Sequence, residues 1–270
     1  MGTNEERDKV ETTLAALKRR GFDAKLAENR DEARKMALDL IPDGCIVGLG
    51  DSATVRAIGL LQDLVDLGHP ISGGAARRNY APRFLKKKSE PAITGAGDKA
   101  VDERFEYLGN PARLGCNVFL TSSNAITEDG MIVNIDGGGG RVAGMIVGGE
   151  LGIIVVGRNK ICKDTEEALY RIKNVIAPIH SKKAAIDNGM LCATAGRCVE
   201  PEVFCDPKVR ACNAIVILEG ATALGGRKTV VILINEDVGL GFDPAWPQER
   251  KDKIIAEYEE FSPPHGLVRA

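Results

Sequence analysis

Four short runs of consecutive apolar residues constrain this chain more than any other feature: CIVGLG (45–50), GIIVVG (152–157), AIVILE (214–219) and TVVILIN (229–235). A strand with one wet face alternates apolar and polar residues, whereas a strand apolar at every position needs cover on both faces. Helical patterns at 52–67 and 163–176 lie between several of the runs, and that alternation predicts an α/β layered sheet. CNVFLTSS (116–123) and MIVNID (131–136) are two further strands, and the turn Glu128-Asp129-Gly130 predicts that they pair as a hairpin. The first forty residues read as two helices: Val10, Leu14 and Leu17 recur at helical spacing before Gly21, and Asn29 caps a second helix through Leu40. Ala177-Pro178 reads as a helix stop, and a last helix spans 248–260. Neither a repeat nor a linker interrupts the pattern, so the expectation is one domain over 1–270, with a cysteine-rich segment at 186–213 as an inserted or appended lobe.

Composition removes some function classes. A net charge of −2 and an aromatic content of 4% leave neither a basic field nor stacking platforms for nucleic acid. MGTNEERDKVETTLAALKRR is charged and lacks the apolar core of a secretory signal, and no run reaches the ~18 apolar residues of a membrane span. The expectation is a cytoplasmic protein without a membrane partner. The basic stretch carrying Arg77, Arg78, Arg83 and Lys86–Lys88 reads as a solvated helical face.

Three polar, glycine-bearing segments follow strands. In Gly48-x-Gly50-Asp51-Ser52-x-Thr54, glycine lets the backbone approach a ligand while Ser52 and Thr54 supply hydroxyls; a helix capped by Asp51 or Ser52 explains the same residues. The segment lacks both the Gly-Lys-Ser/Thr ending of a phosphate loop and the GxGxxG of a dinucleotide fold. The second segment carries Thr121, Ser122, Ser123, Asn124 and Glu128; the third carries Asn134, Asp136, Gly137, Gly138 and Arg141. Arg141 has the geometry to clamp a carboxylate or phosphate. Ligands of open α/β sheets bind beyond the carboxyl ends of the strands, where these segments and Gly157-Arg158-Asn159-Lys160 would converge. A small anionic substrate follows, with Glu128, Asp136 and Lys160 as candidates for acid–base work because only three histidines are present.

Four of the seven cysteines, Cys192, Cys198, Cys205 and Cys212, fall in one short segment, while Cys45, Cys116 and Cys162 sit beside strands as small buried hydrophobes. The spacing contains none of the C-x2-4-C knuckles usual in structural zinc sites, and iron–sulfur ligands tolerate looser spacing. A 4Fe–4S cluster, zinc, and redox-active thiols are the three readings.

TSSNAITEDGMIVNIDGGGGRVAGMI and IIVVGRNKICKDTEEALYRIKNVIAP, with the GLGDSATV turn, resemble the lactate-utilisation (LUD) domain family, also called lactate utilisation protein C-like. The resemblance runs over roughly residues 5–240 and is most specific at 119–178. It implies a NagB/RpiA/CoA-transferase-like fold, a mostly parallel sheet with helices on both faces. It also implies a role beside lactate oxidation, with iron–sulfur proteins as partners. One branch of that family carries a similar cysteine group ending in C-x6-C-N, which Cys205-DPKVRA-Cys212-Asn213 matches; the VEPEVF stretch before it is longer than that pattern. The resemblance favours the 4Fe–4S cluster over zinc. The leading expectation is an iron–sulfur protein acting on a small hydroxy- or oxo-carboxylate, as a homo-oligomer or as a component of a complex with an iron–sulfur oxidoreductase. The alternatives are a non-redox transferase, isomerase or lyase using Glu128, and a non-catalytic ligand-binding or redox-sensing subunit.

Overall fold

The computed structural model describes residues 4–72, 115–183, 190–222 and 226–262, so the basic stretch at 77–88 and the start of the cysteine segment lie outside the described residues. Among the described residues ten strands form two sheets. The larger is wholly parallel, in the order β1 (Asp23–Ala27), β10 (Lys228–Ile234), β7 (Leu151–Gly157), β4 (Val118–Thr121), β2 (Val47–Leu49), β3 (Ile71–Ser72). Its central strands are apolar at consecutive positions because each face has its own core. Ile153, Val155, Val230 and Ile232 point to one core, lined by α2 (Arg30–Leu38), α3 (Ala53–Ala57) and α4 (Leu60–Asp66). Ile154, Val156, Val231 and Leu233 point to the other, with Val10 and Leu17 of α1 (Asn4–Arg19) and Met145 of α5 (Gly140–Val147).

The second sheet, in the order β8 (Ile161–Cys162), β5 (Ala125–Thr127), β6 (Ile132–Asp136), β9 (Ala214–Leu218), shares that second core. Its opposite face packs on α6 (Thr165–Arg171) and α9 (Gln248–Phe261) through Val133, Ile135, Ala168, Ile254 and Tyr258. The α/β class with a mostly parallel sheet flanked by helices is thus as expected. Among the described residues no helix is long and apolar enough to cross a membrane.

Several local expectations are corrected. The hairpin joins β5 to β6, and β4 instead lies between β2 and β7 in the parallel sheet, because the backbone leaves extended pairing at Ser122–Asn124. The run at 214–219 is not covered on both faces: among the described residues β9 pairs only with β6, and Ile215 is 46% and Ile217 39% exposed. The helix at 52–67 breaks at Gly59, whose φ of 79° lies in the left-handed region that favours glycine. Pro178 does not stop its helix: the helical run passes through a π turn over Ile172–Ile176 directly into α7 (Ala177–Lys183). Strand β1 was hidden in DAKLA, a short edge strand with no β-branched residue. The cap at Asn29 is as read, its side chain accepting from the Glu32 N–H.

The cysteine segment does not close around a core of its own. Between 190 and 213 only Met190 and Val209 are buried apolar residues, and Cys212 packs on the apolar cluster between the second sheet, α6 and α9. Its one helix, α8 (Leu191–Ala195), lies against α7.

The β5–β6 turn is seated directly on α1. Gly130 has φ 90°, and a Cβ there would lie 2.7 Å from the backbone of Ala16 and Leu17. Left-handed strain and a backbone clash act together in Gly130→Ala, for an expected loss of about 3 kcal/mol, read as a lower urea midpoint at unchanged slope.

Candidate active site

The carboxyl ends of β2, β4, β7 and β10 lie side by side, and the chain leaves neighbours β2 and β4 in opposite directions. Such a reversal opens the crevice in which α/β sheets hold ligands. Continuing past the Leu49–Leu120 register pair, the Gly50 N–H donates to the Leu120 carbonyl, 3.0 Å. A Cβ on Gly50 would stand 2.4 Å from Thr121 Oγ1 and 2.8 Å from Arg141 Cγ, so glycine is needed for these groups to meet. Ser52, not Asp51, caps α3, accepting from the Val55 N–H at 3.2 Å. Asp51 pairs with buried Arg56 at 2.7 Å, and Arg56 also donates to the Phe261 carbonyl, tying α9 over α3.

Lys160 joins the strand ends. Its Nζ donates to Thr54 Oγ1 (2.8 Å) after β2, to Ser122 Oγ (3.1 Å) and to the Ser123 carbonyl (3.0 Å) after β4. After β10, a Cβ on Gly239 would fall 3.2 Å from Nζ. Among the described residues no carboxylate lies within ion-pair distance of this ammonium. Burial, and then the Arg141 charge, push Lys160 down to about 7, against a smaller opposing pull from Glu257.

Asparagines hold the walls. Asn124 Oδ1 accepts from the Ile135 N–H (3.0 Å) and from the Arg141 guanidinium (2.9 Å), while Asn134 Oδ1 accepts from the Asn124 N–H and its Nδ2 donates to Ser123 Oγ. Ser123 and Asn134 are therefore positioning groups within the wall. Asp136 is occupied as well: its carboxylate accepts from the backbone N–H groups of Gly138, Gly139 and Arg141 at the start of α5, leaving it poorly placed as a base. Glu128 is not brought to the crevice. It follows the far end of β5 and pairs with Lys9 of α1 at 2.9 Å. Gly137 approaches the Arg210 backbone, where a Cβ would meet the carbonyl oxygen at 2.9 Å, and its own carbonyl accepts from Asn213. Gly138 has open space around it.

Tyr258 had gone unread, and Asn159, named only within the turn after β7, takes a defined role. Asn159 staples the β10 end, donating to the Gly239 and Gly241 carbonyls at 2.9 and 2.8 Å and accepting from the Val238 N–H. Tyr258 of α9 is hydrogen-bonded to His180 Nδ1 at 2.6 Å; burial, chiefly, pushes its phenol up to about 12, and Asp51, Arg56 and Arg141 all act on it. The glycine pair after TVVILIN obeys the logic already applied to Gly48-x-Gly50, and would have found the β10 end.

None of the seven cysteines is joined in a disulfide. The clustered four are half-buried, Cys205 is pushed up by burial, by Glu200 and by Cys192, and Cys212 also acts on it. Lys173 Nζ lies 3.5 Å and Arg210 Nη2 3.3 Å from Cys212 Sγ, cations that would offset thiolate charge. Soft donors from one segment beside two cations fit a thiolate-held group in chemistry; among the described residues no three potential ligands converge on a single point.

No match was found among curated proteins. A crystal structure of a DUF162 family protein from Deinococcus radiodurans is similar over 87% of this chain and 99% of that chain, with 13% identity and a TM-score of 0.40. The family model described as the LUD domain matches residues 10–234, which contain both sheets, Lys160 with its three partners and the cysteine group, and the chain therefore belongs to the LUD domain family, associated with lactate utilisation.

Proposed function

We propose that this protein binds a short hydroxy- or oxo-carboxylate at the strand ends and acts in its interconversion beside an iron–sulfur oxidoreductase partner. The observation that carries the reading is the buried Lys160 amine, held by Thr54, Ser122 and Ser123 and lying within the field of Arg141. The Arg141 guanidinium, in a site walled by hydroxyls and amides, favours an anion with further oxygen atoms. Arg141 supplies planar donors for the carboxylate. Lys160, near neutrality at physiological pH, is able to take the proton of a substrate hydroxyl or return it to an oxo group. Thr54 and Ser122 hold that proton's path to hydrogen-bonding distances, and α9 limits the access of water through Arg56 and Tyr258.

Cys192, Cys198, Cys205 and Cys212 would hold a 4Fe–4S cluster, with zinc as the alternative. Such a cluster supplies one-electron transfer when bound. The Arg210 and Asn213 contacts with Gly137 connect the cysteine segment to the wall of the crevice.

A screen of lactate, pyruvate and longer hydroxy and oxo acids by thermal denaturation tests the binding. A ligand at a hundred times its Kd should add about 2.7 kcal/mol of stability, read as a raised Tm. Lys160→Met should remove most of that gain. A flat response to every short carboxylate would overturn the reading.

A further inference from the structure

We propose that Lys160 forms an imine with the carbonyl carbon of a short 2-oxo acid bound in the crevice. The inference rests on the carboxylate reading of the same site and goes beyond it, from proton transfer to a covalent bond. The geometry that points to it is the company Nζ keeps. A buried ammonium is costly without a counter-charge, and the three partners of Nζ are two hydroxyls and one carbonyl. A carboxylate would lock the charged form; hydroxyls serve either form, because they donate as readily as they accept. The neutral amine is accordingly within reach near physiological pH, in line with its fall to about 7, and desolvation of this kind is how lysines become carbonyl nucleophiles. Gly239 keeps side-chain bulk away from Nζ. The Arg141 guanidinium bonds Asn124 at 2.9 Å, the residue that follows the Ser123 carbonyl held by Nζ, so a group suited to a carboxylate stands on the same wall as the amine.

The Nζ lone pair forms a bond to the carbonyl carbon as the carbonyl π bond opens, and one amine proton moves to the oxygen. The carbon–oxygen bond of this carbinolamine then breaks, the remaining amine proton leaves with the oxygen as water, and the C=N bond forms. Thr54 and Ser122, both within hydrogen-bonding distance of Nζ, relay these protons. No oxidant or reductant is consumed. An imine also acidifies the carbon next to it, so the protein should exchange the methyl hydrogens of pyruvate with solvent.

The test uses the full chain, purified without oxygen, with pyruvate as probe and sodium cyanoborohydride as trap, followed by peptide mass mapping. The expected result is a carboxyethyl group on Lys160 in large excess over exposed Lys253, which is 75% exposed, together with a pyruvate-dependent rise in Tm before reduction. The adduct should be lost in Lys160→Arg. A rise in Tm without trapping at Lys160 would overturn the imine and leave carboxylate binding standing. Neither a rise nor an adduct would overturn both. Should the variant fail to fold, site mapping and methyl exchange in the wild type decide the matter.

Discussion

From about pH 7 toward pH 10.5 the wild-type protein will gain stability relative to a Lys160→Met variant, by about 1.4 kcal/mol for each pH unit crossed. The cause is the buried amine. Its folded value has fallen to about 7 from the ordinary 10.5, so within this window the unfolded chain holds a proton that the folded chain has released. Unfolding then takes up a proton, and raising the pH disfavours it. Below the folded value both states are protonated and the burial penalty is felt in full, on the order of 5 kcal/mol. Two thiols work in the opposite direction. Burial pushes Cys116 up to about 11 and Cys162 up to about 12, from 9.0. Above pH 9 the unfolded chain therefore loses protons that the fold retains, and stability falls. Both thiols are present in both proteins, so the difference between urea midpoints isolates the lysine. A difference independent of pH would mean that a counter-charge accompanies Lys160, and would remove the ground for treating it as a neutral base.

The strand ends were legible because glycines and hydroxyls follow apolar runs, a pattern set by local backbone geometry. Gly50, Thr54, Ser122 and Lys160 needed nothing further to be placed in one crevice, once parallel strands were inferred. What each polar side chain does there was not legible. Asp136 and Glu128 are both turn carboxylates in sequence, yet one is consumed capping α5 and the other pairs with Lys9 beyond the far end of β5. That distinction depends on which end of β5 faces the crevice, and β5 itself was read as loop. Long-range partners were invisible for the same reason. His180 and Tyr258 meet across seventy-eight positions of sequence, and neither carries a local pattern. The exposure of Ile215 and Ile217 depends on β9 lying at an edge, which a run of apolar residues does not specify.

Purified without oxygen, the protein is expected to carry about four irons and four sulfides per chain, with broad visible absorbance, and Cys212→Ser to lose most of both. Cys212 is the informative position because its surroundings are the most cationic of the group. Arg210, which also grips Glu200 through two bonds of 2.7 and 2.9 Å, lies against its sulfur, and Lys173 approaches from the π turn. These charges are suited to a donor that must stay a thiolate, and a serine hydroxyl supplies no equivalent. Cys45→Ser should leave the iron unchanged, since Cys45 packs against the first core, away from the segment. Colourless protein with about one zinc per chain would favour the alternative metal, and protein with neither metal would overturn the resident-cluster reading. The same variant separates the two halves of the proposed function. If Cys212→Ser loses iron while pyruvate still raises its Tm, the segment supports electron transfer and the crevice binds alone. If both are lost together, the path between them runs through Gly137, whose α-carbon has no room for a side chain because the Arg210 backbone lies against it.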